Sequence, residues 1–71
     1  MKDYVENQVF EIRTFKKITQ EELAVAAGVT RQTIIAIEKG NYTPSVLLAM
    51  KIAKFFNKKV EEIFELKSQG K

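Results

Sequence analysis

Neither cysteine nor histidine occurs in this chain of 71 residues. Without cysteine there is no disulfide, and without both residues the usual thiolate or imidazole zinc site is excluded. The missing imidazole also removes histidine acid–base catalysis and the Ser-His and Cys-His nucleophile pairs. Glycine is scarce, with only Gly28, Gly40 and Gly70, and no phosphate-cradling glycine loop can be assembled from them. No enzyme, cofactor or metal is therefore expected. A small cysteine-free chain fits a reducing cytoplasm better than secretion. The opening Met1-Lys2-Asp3-Tyr4-Val5-Glu6-Asn7 lacks the apolar run of a secretory leader. No stretch approaches the roughly 20 apolar residues that span a bilayer, so no membrane partner is expected.

What the chain does have is an apolar fraction of 45%, enough for a core in one domain. At this size only about 60% of the unfolded surface is buried on folding, so modest stability is expected. Twelve basic residues against nine acidic ones give a net charge of +3. That balance permits a polyanionic partner without demonstrating one.

The chain reads as helix throughout. Val5, Val9 and Ile12 at i, i+4, i+7 predict a first helix over about residues 3 to 16, with Phe10 and Phe15 off its stripe. Thr19 and Glu22 form a capping box that opens a second helix, from Gln20 to about Ala27. Gly28 suits a left-handed exit. Thr30 caps a third helix, from Arg31 to about Lys39, with Ile34 and Ile37 facing inward. Gly40 stops it, and Pro44 keeps Thr43 out of helix. Ser45 caps a fourth helix carrying Val46, Ala49, Ile52, Ala53 and Phe56 on one face. Asn57 tolerates a left-handed exit. A short fifth helix, about Val60 to Phe64, has Glu61 and Glu62 in its first turn. Lys67 to Lys71 has no apolar residue and reads as a frayed tail behind a domain of residues 1–66. No sustained strand alternation is evident, so the expected fold class is all-α, five short helices around one core.

Gln20, Ala24, Gly28, Ile34 and Ile37 fall at the spacing of the lambda-repressor-like helix-turn-helix, often called the xenobiotic-response-element type. The strings T-Q-E-E-L-A, G-V-T-R-Q-T-I and I-E-K-G resemble that family's small regulators, and the resemblance runs from about Val9 to Phe64. It implies a sequence-specific, double-stranded-DNA-binding transcriptional regulator. With no effector domain in view, repression by occupancy is the simplest mechanism. The family lays its third helix in the major groove, N-terminal residues toward the bases. Here that implies base reading by Thr30, Arg31, Gln32, Thr33, Ile35 and Ala36. Arg31 suits a guanine edge, Gln32 an adenine edge, and Ile35 a thymine methyl. By the same resemblance Gln20, Lys39, Asn41, Tyr42 and Thr43 meet backbone phosphates. Arg13 and Glu38 match a structural ion pair of the family.

Plainer readings stand beside these. Arg31 and Gln32 are also what a solvated first turn contains. Gln20 reads equally as an exposed helix start, Ile35 as half-buried core, and Tyr42 as a ring packed on the third helix. The run Lys51, Lys54, Lys58 and Lys59 reads as a solvated face. Lys17 stands where the family often has glycine, and Lys59 is a poor residue for a helix cap.

A homodimer on a two-fold operator is expected, because one module makes few DNA contacts. Leu47, Leu48, Phe55, Val60 and Ile63 are its expected interface, being more apolar surface than one small core readily covers. The alternative is a protein-interaction module of the same fold, an antitoxin or accessory subunit with secondary DNA binding.

Overall fold

The described residues open and close in β-strand, with the helices between. In a computed structural model that describes residues 2–69, the order is β1 (Lys2–Asn7), α1 (Val9–Phe15), α2 (Gln20–Ala27), α3 (Arg31–Glu38), α4 (Val46–Phe56), α5 (Val60–Ile63) and β2 (Phe64–Gln69). The strands pair antiparallel, Lys2 opposite Gln69 and Asn7 opposite Phe64. Five helices are present as expected, but with this two-stranded ribbon all-α describes the fold only roughly.

The first helix begins at Val9, not near residue 3. The spacing of Val5, Val9 and Ile12 runs across a strand and a helix. Asn7 makes the break: its Oδ1 accepts the Val9 N–H at 3.0 Å and its Nδ2 donates to the Ile37 carbonyl at 2.9 Å. The Gln8 N–H donates to the Ile63 carbonyl at 2.8 Å, which fastens the same junction to α5.

At the other end Phe64 leaves the helix. Residues 64–69 alternate apolar and polar as far as Leu66, then continue as strand because β1 satisfies their backbone. Residues 67–69 are thus ribbon rather than tail, and the domain does not stop at 66. Residues 70 and 71, also read as tail, lie outside the described residues. Glu6 and Glu65 stand directly opposite, a repulsive pairing. The Lys67 ammonium relieves it, 3.6 Å from Glu6 and 3.8 Å from Glu65.

The helix ends follow from their cap residues. Thr19 Oγ1 accepts the Glu22 N–H at 3.0 Å, and Glu22 Oε1 accepts the Thr19 N–H at 2.8 Å, closing the capping box. Thr30 caps α3 and Ser45 caps α4 in the same sense. Asn57 ends α4 in the left-handed region at φ 59°. At α5, Glu62 Oε1 accepts the Lys59 N–H at 2.8 Å, so the acidic first turn supplies the cap that the lysine side chain lacks.

Val9, Leu23, Ala24, Ala27, Ile34, Ile37, Leu48, Ile52, Ala53, Phe56 and Ile63 form one core cluster. α4 contributes Leu48, Ile52, Ala53 and Phe56 to it, and buries Ala49 as well. Val46, expected on that stripe, is 77% exposed instead, and Leu48 takes the inward place. Among the described residues no helix is long and apolar enough to cross a membrane.

Candidate nucleic-acid interface

The α2–turn–α3 unit is set by backbone chemistry at three residues. Gly28 adopts φ 73°, and its N–H donates to the Val25 carbonyl at 3.2 Å. A β-carbon there would make only ordinary contact with the Lys51 ammonium at 3.7 Å, so glycine is required by the dihedral and not by crowding. The Val29 N–H then donates to the Ala24 carbonyl at 3.0 Å, and its side chain packs against the core. Thr30 starts α3, its Oγ1 accepting the Thr33 N–H at 3.3 Å and lying 3.3 Å from the Thr33 hydroxyl.

With Ile34 and Ile37 wholly buried, the helical period sends Gln32, Ile35, Ala36 and Lys39 to the opposite side. Gln32 and Lys39 are exposed, while Ile35 and Ala36 are half-buried between them. Arg31 is exposed on the flank of this row nearest the start of α2. Beyond α3 the chain turns at Gly40, φ 81°, and Asn41, Tyr42 and Thr43 follow in an exposed loop. Tyr42 lines a shallow groove with Gly28, Val29, Ser45 and Lys51, beside the turn rather than on α3.

Gln20 opens α2 and joins the two helices. Its Nε2 donates to Glu38 Oε1 at 3.0 Å, and its Oε1 accepts from Arg31 Nε at 3.2 Å. Glu38 in turn holds Arg13: Arg13 Nε donates to Oε2 at 2.6 Å and Nη2 to Oε1 at 3.2 Å. Arg13 Nη1 also donates to the Ile18 carbonyl at 3.0 Å. The two side chains are only 10% and 7% exposed, so this is a buried, bidentate ion pair. The Phe10 ring lies over the Arg13 guanidinium, 5.4 Å from its centroid, which accounts for an aromatic off the α1 stripe. Phe15, the other one, is openly exposed.

The residues expected at a dimer contact do not share a surface. Leu48 and Ile63 are core, 7% and 1% exposed, and cannot also face a partner. Val60 is packed against the core, and Phe55 flanks the α4 core stripe on the edge away from Val46. Leu47 is exposed as expected. It lines the groove of Tyr42 and Lys51, and the exposed apolar residues that sequence reasoning missed are Val46, Met50 and, on β2, Leu66. Val46 and Met50 border an apolar groove with Val5, Pro44, Val60 and Phe64, and Leu66 stands opposite Val5 on the adjoining ribbon. The alternation of Phe64 and Leu66 was the available signal.

Two capped helices joined at a glycine turn, the second exposing Arg31, Gln32 and Lys39 around half-buried Ile35 and Ala36, have the form of a helix-turn-helix. The helix-turn-helix family model matches residues 10–63, and the chain belongs to that family, in its lambda-repressor-like, xenobiotic-response-element branch. It is 57% identical over 60 residues to an HTH-type transcriptional regulator of Methanocaldococcus jannaschii, covering 84% of this chain and 91% of that one. It is 49% identical over 66 residues to the HTH-type transcriptional regulator YgzD of Bacillus subtilis, covering 93% of this chain and all of that one. A solved structure, the restriction-modification controller protein C.AhdI from Aeromonas hydrophila, superposes with a TM-score of 0.74 at 29% identity, over 78% of this chain and 83% of that chain. The protein is thus a transcriptional regulator with a helix-turn-helix DNA-binding domain.

Proposed function

We propose that the protein is a cytoplasmic, non-enzymatic repressor that binds a two-fold operator as a homodimer. The observation that carries the reading is the outward row of α3, Gln32, Ile35, Ala36 and Lys39, flanked by Arg31, on a helix whose other side is fully buried. Arg31 and Gln32 read purine edges, and Ile35 and Ala36 lie against thymine methyls. Thr30 and Thr33, whose hydroxyls hold the start of α3, close the reading face at its N-terminal end. Gln20, Lys39, Asn41, Tyr42 and Thr43 meet phosphates on either side. Gln20 keeps one Nε2 hydrogen beyond the one given to Glu38, and the first N–H groups of α2 have no intrahelical acceptor. Repression is supported by a 32% identity over 57 residues to the cryptic phage CTXphi transcriptional repressor RstR of Vibrio cholerae, of which the match covers 51%.

A second copy is the occupant we assign to the apolar groove bordered by Val46 and Met50, with Leu66 on the adjoining ribbon. A two-fold contact doubles the DNA interface and places two α3 helices on half-sites about 34 Å apart. Selection of bound duplexes from a random pool, followed by footprinting, tests the function. The expected result is one enriched, two-fold-symmetric sequence, protected over two successive major grooves. Recovery of no preferred sequence, with co-purification of a stoichiometric protein partner, overturns it in favour of an interaction module.

A further inference from the structure

We infer that the buried Arg13–Glu38 pair is a positioning element for base reading, acting through Gln20 to hold the Arg31 guanidinium in place before DNA arrives. This rests on the proposed role of Arg31 as a reader. The four side chains form one unbroken chain of hydrogen bonds, Arg13 to Glu38 at 2.6 Å, Gln20 to Glu38 at 3.0 Å, and Arg31 to Gln20 at 3.2 Å.

The polarity of the chain admits one arrangement. A carboxylate only accepts and a guanidinium only donates, so the Gln20 amide between them must turn Nε2 to Glu38 and Oε1 to Arg31. Glu38 is anchored by a bidentate partner at 7% side-chain exposure, and Gln20 is half-buried. Order therefore passes outward from a fixed, desolvated pair to an exposed arginine. Arg31 donates through Nε, which leaves both terminal Nη groups free. Those are the groups that grip guanine O6 and N7 end-on. A free surface arginine carries about 2 kcal/mol of rotamer entropy, and restraining it beforehand reduces what binding must remove.

The test uses Arg13→Met/Glu38→Met, which removes both charges together and so leaves no unpaired ion in the core. Base preference is measured at every position of the selected operator for wild type, Arg31→Ala, the double variant and the triple combination. Arg31→Ala should lose about tenfold or more of preference at one base pair per half-site. The double variant should lose about as much at that same base pair, with other positions and the salt dependence of non-specific binding unchanged. In the Arg31→Ala background it should have no further effect there. Should the double variant fail to fold, Gln20→Leu cuts the chain while leaving the ion pair whole. In that variant the Arg31 Nε–H, ordered on the nanosecond scale in free wild-type protein by 15N relaxation, should become mobile. If Arg31→Ala changes no base preference, the reader assignment fails. If it does, but the double variant keeps full preference at that base pair, or the Nε–H is equally mobile in wild type and Gln20→Leu, the positioning proposal is overturned alone.

Discussion

Lys17 holds a left-handed backbone, φ 59°, immediately after α1. That conformation costs a residue with a β-carbon about 1–2 kcal/mol, and nothing in the lysine side chain offsets it as an asparagine would. Lys17→Gly should therefore stabilise the domain by about 0.5–1 kcal/mol after the extra flexibility of glycine in the unfolded chain is subtracted. Urea unfolding measures it, and an unchanged or lower midpoint contradicts the strain. Asn7 is the opposite case, a short polar side chain that satisfies two backbone groups at once. Asn7→Ala should cost about 1–3 kcal/mol, because it leaves the Val9 N–H at the start of α1 without its acceptor and the Ile37 carbonyl with only the Gly40 N–H. At this scale the sequence was legible wherever a residue acts on its own neighbourhood. Thr19, Gly28, Thr30, Ser45 and Asn57 are such residues, each doing what its chemistry favours within four positions. Asn7 was not legible, since its carboxamide serves α3, thirty positions away.

Between elements, the Arg13–Glu38 pair ties α1 to α3 and does so in the dry interior. Removing either partner leaves a buried charge, so Arg13→Ala and Glu38→Ala should each destabilise by roughly 3–5 kcal/mol. The double variant should lose less than the sum by about 1 kcal/mol or more, and strictly additive unfolding free energies would show that the pair does not couple. Added osmolyte keeps the single variants folded for the measurement. The helices were legible from caps and a 3.6-residue period. The ribbon was not, for two reasons. β1 has a single apolar residue facing the groove, Val5, whose spacing to Val9 imitates a helix. β2 gains its order from pairing across nearly the whole chain, Asn7 with Phe64, and no local signal carries that. The error in α4 had a related cause: Val46 and Leu48 fit alternative stripes, and only the docked position of α4 selects Leu48.

For the whole molecule, the proposed dimer contact at Val46, Met50 and Leu66 is open to a direct test. Leu66 is 70% exposed, so Leu66→Glu should leave the monomer fold intact. Burial of a leucine is worth about 1.5–3 kcal/mol, and a two-fold contact counts it twice, so the dimer should weaken roughly hundredfold or more. Sedimentation of both forms at micromolar concentration checks this; a dimer unaffected by Leu66→Glu places the contact elsewhere. The measurement that bears most directly on the account as a whole compares affinity for the selected operator with affinity for random duplex at one fixed salt concentration. It is made for wild type, Arg31→Ala and Gln32→Ala. Each substitution should shrink the ratio by about 1–3 kcal/mol while the affinity for random DNA changes little for Gln32→Ala and modestly for Arg31→Ala, which also loses a charge. An unchanged ratio in both variants would contradict the assignment of α3 as the reader of the sequence.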